Sequence, residues 1–272
     1  MISNDSLEQV TSKDGTVITY SRRGEGPAVL VVPGALSLAG DYTPFATALA
    51  EHHFTVCVMD RRGHGQSGPQ GDAYSIEKEC EDVDAVLSQI KARYLVGHSF
   101  GGLATLEAAR NNAAIEKVVV YEPGVSIDNS IPSGWFDEYE ICLRQHKPLD
   151  AFAVFVRAMH PVFRYLPKWY FKLLMPIIFK EELKKIQDQL PANLYEHKEA
   201  VRLNNTYKNY SEITAKTLLM AGGKNKDAVK EAGVIANVIP QAEVKVYPKF
   251  DHFGIDKKGP NEVAEGVAAF FK

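Results

Sequence analysis

A serine with glycine two residues to either side is the group in this sequence best suited to act as a nucleophile. Residues 97–101 read Gly-His-Ser-Phe-Gly, with Ser99 at the centre. The short run Arg93–Val96 has the pattern of a buried strand, and Gly102–Arg110 has that of a helix. In a strand–turn–helix of this kind, the glycines allow a sharp turn that exposes the serine hydroxyl above a helix N-terminus. The pattern therefore predicts that Ser99 attacks an electrophilic carbon.

A serine hydroxyl is a weak nucleophile until a base accepts its proton. His252 is the candidate base, because it follows the last predicted strand and therefore comes late in the chain. A serine followed by a late histidine is the order found in one common triad arrangement. His52 and His53 end a predicted surface helix, and His98 lies inside the serine motif, so they fit this role less well.

The chain resembles the α/β-hydrolase superfamily across essentially its whole length. The resemblance depends on three features: residues 97–101, the loop Asp60–Gly68 and His252. The loop reads DRRGHGQSG and is similar to the D-x-R-G-x-G-x-S signature of the superfamily, where it is structural. We therefore assign no catalytic role to His64 or Ser67.

The resemblance also nominates two backbone donors for an oxyanion hole. The turn Val32–Ala35 occupies the place of the superfamily's His-Gly loop, although Pro33 replaces the usual histidine. This correspondence implies that the N–H groups of Ala35 and Phe100 bind the oxyanion. Two donors aimed at a developing negative charge contribute several kcal/mol to acyl transfer.

Two residues compete for the acid of the triad. In the superfamily the acid usually follows the seventh strand, where this sequence has Asn225, with Asp227 two residues later. Asparagine orients an imidazole but does not offset the imidazolium charge. With Asn225 as an N-cap, Asp227 would instead occupy the first turn of a helix, where the helix dipole favours acids.

The other candidate is Glu122, which directly follows the sixth predicted strand and precedes Pro123. Haloalkane dehalogenases carry their acid after this strand, and a Tyr-Glu-Pro sequence there resembles a group of bacterial hydrolases. A glutamate at a buried sheet end needs a partner, which His252 would provide. We expect Glu122 to be the acid, with Asp227 as the alternative.

Buried apolar runs alternate with helical patterns along most of the chain, which predicts a mainly parallel sheet covered by helices. A hairpin comes first, with strands at Leu7–Thr11 and Val17–Ser21 joined through Asp14-Gly15. The predicted fold class is α/β, specifically the α/β-hydrolase fold with an antiparallel N-terminal edge.

Between residues 127 and 211 the strand pattern disappears, and aromatic-rich helical segments replace it. The clearest predicted helices are Phe152–His160, Pro167–Met175 and Lys180–Gln189. We predict a core of residues 1–126 and 212–272, with 127–211 forming a helical cap inserted between the sixth and seventh strands. Caps select substrates by shape, and the aromatic residues indicate an apolar acyl or aryl substrate.

Composition and the lack of several motifs argue against nucleic-acid, membrane-spanning, secreted and cofactor-dependent classes of protein. Thirty-one basic and 34 acidic residues among 272 give a net charge of -3, which argues against nucleic-acid binding. No apolar run is long enough to span a membrane, and the first residues lack a secretory pattern. Three cysteines suit neither a disulfide framework nor a zinc site, so we expect a cytoplasmic protein. No metal or cofactor motif is present, and none is expected.

The expected function is a serine hydrolase, carboxylesterase-like, that cleaves small carboxylic esters or related acyl compounds through an acyl-enzyme. Dehalogenases and epoxide hydrolases of this fold use aspartate at the elbow, so Ser99 argues against both. One alternative is a non-catalytic sensor of a small ligand on a hydrolase scaffold. The other is a membrane-associated lipid hydrolase, because basic residues interleave with aromatic ones in the predicted cap.

Overall fold

The computed structural model describes residues 6–159, 163, 165, 169–170, 173 and 182–272. The chain divides into two compact units, Met1–Val125 with Thr206–Lys272, and Ser126–Asn205. In the described part of the first unit, eight strands form one sheet. They are β1 (Ser6–Thr11), β2 (Val17–Arg23), β3 (Ala28–Val32), β4 (Thr55–Met59), β5 (Tyr94–His98), β6 (Lys117–Tyr121), β7 (Lys216–Gly222) and β8 (Ala242–Tyr247).

The strand order is β1-β2-β4-β3-β5-β6-β7-β8. The β1–β2 and β2–β4 pairs are antiparallel, and all other pairs are parallel. Helices flank the sheet, as expected for strands whose residues are apolar and buried, such as residues 29–32 of β3. The predicted α/β-hydrolase fold, with its antiparallel N-terminal edge, is confirmed.

Five α-helices belong to the described part of the first unit and three to that of the second. In the first unit they are α1 (Thr43–Glu51), α2 (Ile76–Ile90), α3 (Phe100–Asn111), α7 (Lys226–Ala236) and α8 (Pro260–Phe271). In the second unit they are α4 (Phe136–Arg144), α5 (Pro148–Met159) and α6 (Leu183–Arg202). Among the described residues, no helix is both long and apolar enough to cross a lipid bilayer.

The strand register brings several loops to one edge of the sheet. His98 at the end of β5 pairs with Tyr121 at the end of β6, and Tyr121 pairs with Met220 of β7. Gly222 at the end of β7 pairs with Tyr247 at the end of β8. Residues that follow these parallel strands therefore emerge side by side, which is where α/β sheets hold their ligands.

The loop Asp60–Gly68 has a structural role. Arg62 is 2% exposed and binds both carboxylate oxygens of Asp82 on α2 at 2.7 Å. It also donates to Asp14 in the turn of the β1–β2 hairpin at 3.0 Å. Ser67 Oγ donates to the Asp60 carbonyl at 2.6 Å. The loop thus joins the hairpin to α2 through buried charge-assisted hydrogen bonds.

The second unit has its own core around Trp135, which is 5% exposed. Its indole ring contacts the rings of Tyr139, Phe155 and His197 at centroid distances of 5.0, 5.4 and 5.5 Å. Tyr139 Oη donates to the Leu190 carbonyl at 2.9 Å. Aromatic packing, with a hydrogen-bonded polar end at Tyr139, holds the helices of this unit together.

Two predictions for this region need correction. The helix expected to end at Gln189 runs from Leu183 to Arg202 and contains Pro191, because buried apolar residues on both sides of the proline maintain its packing. Residues 206–211 belong to the first unit, where Thr206–Glu212 forms a 3-10 helix beside α3 with Tyr210 fully buried.

The remainder of the cap prediction is not tested. Most of the helix expected over Pro167–Met175 lies outside the described residues. A cap role for the second unit stays a prediction.

The buried Arg62–Asp82 pair yields a stability prediction. Asp82→Asn leaves the guanidinium without its bidentate carboxylate, so we expect a loss of about 3 kcal/mol in unfolding free energy. The matched control is Glu81→Gln on the same helix, which removes one charge from a partly exposed ion pair with Lys78. That variant should lose less than about 1 kcal/mol. Urea unfolding measures both, and equal losses would contradict the structural role of this pair.

Candidate active site

Ser99 lies in a sharp turn between β5 and α3. Its backbone has a φ of 52°, in the left-handed region that is strained for a residue with a side chain. A Cβ at Gly97 would lie 2.4 Å from Thr105 Oγ1, and one at Gly101 would lie 2.2 Å from the Val32 carbonyl oxygen. Only glycine fits at either position, so the two glycines of the motif make the turn possible.

Backbone hydrogen bonds join this turn to the end of β6. The Ser99 N–H donates to the Tyr121 carbonyl at 3.1 Å, and the Ser99 carbonyl accepts from the Gly124 N–H at 2.7 Å. Ser99 itself is partly exposed. Glu122 and Pro123 lie between these two partners of Ser99 in the sequence.

Glu122 has a buried carboxylate with three hydrogen-bond donors. Its Oε1 accepts from the Gly222 N–H at 2.9 Å, and its Oε2 accepts from Asn225 Nδ2 at 2.8 Å. His252 Nδ1 contacts the same Oε2 at 2.8 Å. The Glu122 side chain is 3% exposed, whereas that of His252 is 38% exposed. These donors offset the cost of burying the carboxylate.

The contact with Glu122 also sets the tautomer of His252. A carboxylate accepts hydrogen bonds and does not donate them, so Nδ1 carries the proton in this pair. In the neutral ring Nε2 is then free to accept a proton. Among the described residues, Ser99 Oγ makes no hydrogen bond to His252. Such bonds are often long before a substrate binds.

Neighbouring side chains fix the loop that carries His252. Tyr121 Oη donates to the Asp251 carbonyl at 2.8 Å, and Lys258 forms an ion pair with the Asp251 carboxylate. A Cβ at Gly254 would lie 2.1 Å from Tyr121 Oη, so this position requires glycine for the close approach. The loop is thus held on the edge of the sheet next to β6.

His98, which precedes Ser99, forms a further link to His252. Its Nε2 lies 2.9 Å from the His252 carbonyl oxygen and therefore donates to it. Its Nδ1 accepts from Tyr42 Oη at 2.6 Å. Burial, together with the nearby His252, lowers the pKa of His98 well below its usual value. The ring is therefore neutral, as its one-donor, one-acceptor arrangement requires.

The predicted oxyanion donors lie close to Ser99. Phe100 directly follows Ser99 and is the first residue of α3. On the other side, a Cβ at Gly34 would lie 3.0 Å from Ser99 Cβ, so the segment leading to Ala35 touches the serine. Within the described part of the chain, neither the Ala35 N–H nor the Phe100 N–H donates a hydrogen bond.

The structure separates the two candidate acids. Glu122 contacts His252, whereas Asp227 is exposed in the first turn of α7. Asn225 is the N-cap of this helix, as predicted, and its Oδ1 accepts from the Ala228 N–H at 3.3 Å. The Asn225 amide also donates to Glu122, a contact that was not predicted from the residue spacing. Because Asn225 stands where the superfamily usually has its acid, its position could have indicated a contact with the acid–histidine pair.

In the described residues, no group of three or more His, Cys, Asp or Glu side chains is arranged to hold a metal ion. At this edge of the sheet, His252 contacts both Glu122 and His98, and Ser99 directly follows His98 in the chain. This arrangement can remove a proton from a serine hydroxyl and stabilise the imidazolium that results.

Comparison with known proteins agrees with this architecture. A relative from Bacillus subtilis (strain 168), the uncharacterized hydrolase YraK, is 32% identical over 114 residues, which span 40% of this chain and 42% of the relative. The match therefore covers less than half of that protein.

Two solved structures extend over nearly the whole chain. An α/β hydrolase from Sphaerobacter thermophilus is 28% identical, with a TM-score of 0.81 and coverage of 97% of this chain and 100% of that one. An esterase from Exiguobacterium antarcticum has the same fold at 20% identity, with a TM-score of 0.73 and coverage of 96% and 98%.

The family model described as "Serine aminopeptidase, S33" matches residues 25–253, which is most of the chain. The chain therefore belongs to the serine aminopeptidase S33 family of the α/β-hydrolase superfamily.

Proposed function

We propose that this α/β hydrolase cleaves small carboxylic esters or related acyl compounds through an acyl-enzyme on Ser99. The observation that carries the proposal is the 2.8 Å contact between His252 Nδ1 and the buried Glu122 carboxylate, at the sheet edge where Ser99 lies. A histidine held in this tautomer can act as a base only through Nε2. In this fold, Nε2 of such a histidine accepts the proton of the serine hydroxyl.

The reaction begins when Ser99 Oγ bonds to the carbonyl carbon and its proton passes to His252 Nε2. The electron pair of the carbonyl bond moves to oxygen, where the N–H groups of Ala35 and Phe100 stabilise the charge. Collapse of this intermediate breaks the bond to the leaving group, which receives the proton from His252. A water molecule then repeats the sequence and releases the acid.

Glu122 accepts the hydrogen bond from Nδ1–H throughout and stabilises the imidazolium without becoming protonated itself. Two further donors, Gly222 N–H and Asn225 Nδ2, keep its carboxylate fixed in the orientation that faces His252. Asparagine at 225 fits this role well, because an aspartate there would place a second negative charge against Glu122.

The proposed substrate class rests on the serine nucleophile and on the similarity to an esterase structure and to the aminopeptidase family model. The similar structure from Exiguobacterium is called an esterase, and the family description names an aminopeptidase, so esters and aminoacyl amides are the first compounds to compare. The apolar acyl or aryl substrate, the cytoplasmic location and the absence of a nucleic-acid partner stay predictions. A non-catalytic sensor and a membrane-associated lipid hydrolase are the alternatives.

Labelling with a fluorophosphonate probe tests the activated serine. Ser99 Oγ should attack phosphorus and release fluoride, giving one covalent adduct in the intact mass of the wild-type protein. Ser99→Ala should give none. No adduct on folded wild-type protein would contradict the hydrolase proposal and favour the sensor. A labelled protein that cleaves only esters presented in lipid vesicles would favour the lipid hydrolase.

The choice of acid is tested by two variants that each convert one carboxylate to its amide. Glu122→Gln should lower kcat/KM by about 10²- to 10⁴-fold, because the amide cannot stabilise the imidazolium and favours the wrong tautomer. Asp227→Asn should stay within about twofold of wild type, because Asp227 is exposed on α7. Hydrolysis of p-nitrophenyl butyrate measures both. Small and equal losses would overturn the assignment of Glu122.

A further inference from the structure

Arg61 is a buried cation that reaches both segments carrying the proposed oxyanion donors. Its side chain is fully buried, and its Nε donates to the Pro33 carbonyl at 2.9 Å. Its Nη2 donates to the Gly34 carbonyl at 3.1 Å. The guanidinium carbon also lies 4.9 Å from the centroid of the Phe100 ring. One side chain therefore contacts the segment before Ala35 and the first residue of α3.

The direction of these hydrogen bonds fixes the orientation of two peptide planes. No peptide bond in the described residues is cis, and in a trans peptide the C=O and N–H point in opposite directions. The Pro33 carbonyl faces Arg61, and the Gly34 N–H of the same plane donates to Tyr42 Oη at 3.0 Å. This plane is held from both sides. The next peptide plane contains the Gly34 carbonyl and the Ala35 N–H. Because this carbonyl accepts a hydrogen bond from Arg61, the Ala35 N–H points away from the guanidinium.

The turned N–H belongs to a segment that touches the nucleophile. A Cβ at Gly34 would lie 3.0 Å from Ser99 Cβ. The Ala35 N–H has no hydrogen-bond acceptor within the described part of the chain. An oriented donor beside the serine matches the requirement for stabilising an oxyanion, because its dipole is fixed before the charge develops.

Two further partners fix the rotation of the guanidinium plane. Arg61 Nη1 donates to Glu79 Oε1 at 3.0 Å, and Nη2 donates to His64 Nε2 at 2.9 Å. Burial and the charge of Arg61 lower the pKa of His64 well below its usual value, so that ring is neutral and can accept. A lysine ammonium could not reach these acceptors together, because only arginine has a rigid planar fork of donors.

We propose that Arg61 and Tyr42 are positioning residues that hold residues 33–35 so that the Ala35 N–H faces the reacting oxygen. Neither residue contacts the substrate in this account. Both act by fixing the peptide planes next to Ser99. The inference rests on the proposed function, because it gives Arg61 and Tyr42 a role in stabilising the charge formed during acyl transfer.

The test compares two ketones of the same shape on Arg61→Lys. An octyl trifluoromethyl ketone adds to Ser99 and forms an oxyanion, whereas the octyl methyl ketone binds without forming a stable adduct. We expect the affinity for the trifluoromethyl ketone, and kcat for p-nitrophenyl butyrate, to fall about 10- to 100-fold. The affinity for the methyl ketone and the KM should change less than about threefold. A purely structural role would weaken both ketones equally.

The matched control is Arg62→Lys, which makes the same change at the adjacent buried arginine that binds Asp82 and Asp14 instead of the oxyanion segment. Its ratio of ketone affinities should equal that of wild type. Tyr42→Phe releases the other side of the Pro33–Gly34 plane and should lower the ratio in the same direction as Arg61→Lys. If Arg61→Lys does not fold, the ratio of ketone affinities in Tyr42→Phe tests the positioning role instead.

Three results would overturn the proposal: an unchanged ratio in Arg61→Lys, an unchanged ratio in Tyr42→Phe, or an equal change in Arg62→Lys. Fluorophosphonate labelling of the wild-type protein separates this failure from failure of the proposed function. A labelled wild type with an unchanged ratio in the variants rejects only the positioning role. An unlabelled wild type rejects the hydrolase itself.

Discussion

A carboxylate buried at the end of a sheet is stable only if the fold brings hydrogen-bond donors to it, and this constraint organises the candidate active site. Glu122 receives its three donors from three parts of the chain: the end of β7, the N-cap of α7 and the loop after β8. Unpaired, such a group would cost several kcal/mol. The contacts that stabilise Glu122 also hold the His252 ring in the orientation that the proposed acid–base chemistry requires.

The loops around this carboxylate are also held by other buried groups. His98 binds the His252 backbone, and Tyr42 joins His98 to the Gly34 N–H. Arg61 binds the carbonyls on the other side of that loop. The turn at Ser99, the loop that carries His252 and the segment leading to Ala35 are thus connected through fixed dipoles. Pre-organised dipoles of this kind are the largest single contribution to many acyl-transfer reactions.

The fold and part of the site could be predicted from the sequence because they depend on local patterns. Buried strands such as β6 contain continuous apolar runs, here residues 118–121, and the glycines around Ser99 mark a turn that no other residue permits. The acid was harder to choose, since Glu122 and Asp227 both follow strands that end at one edge of the sheet. Which of them reaches His252 depends on loop geometry, and residue spacing does not record it.

The contacts of Arg61, Tyr42 and His98 could not be predicted, because the groups they bind are mainly backbone atoms in distant loops. A carbonyl such as that of Gly34 or His252 has no sequence signature. The helix through Pro191 shows a related limit, since packing of the neighbouring turns outweighed the local penalty of proline.

The central claim is that Ser99 and His252 act as one catalytic unit, and a double-variant comparison tests it most directly. The measurement is kcat/KM for Ser99→Ala, His252→Ala and the double variant on one ester, with wild-type contamination excluded by fluorophosphonate titration. Residues that share one proton transfer are strongly non-additive, so the double variant should be no slower than the slower single variant. If the two losses instead multiply, the residues act independently, and the triad proposed for this protein is wrong.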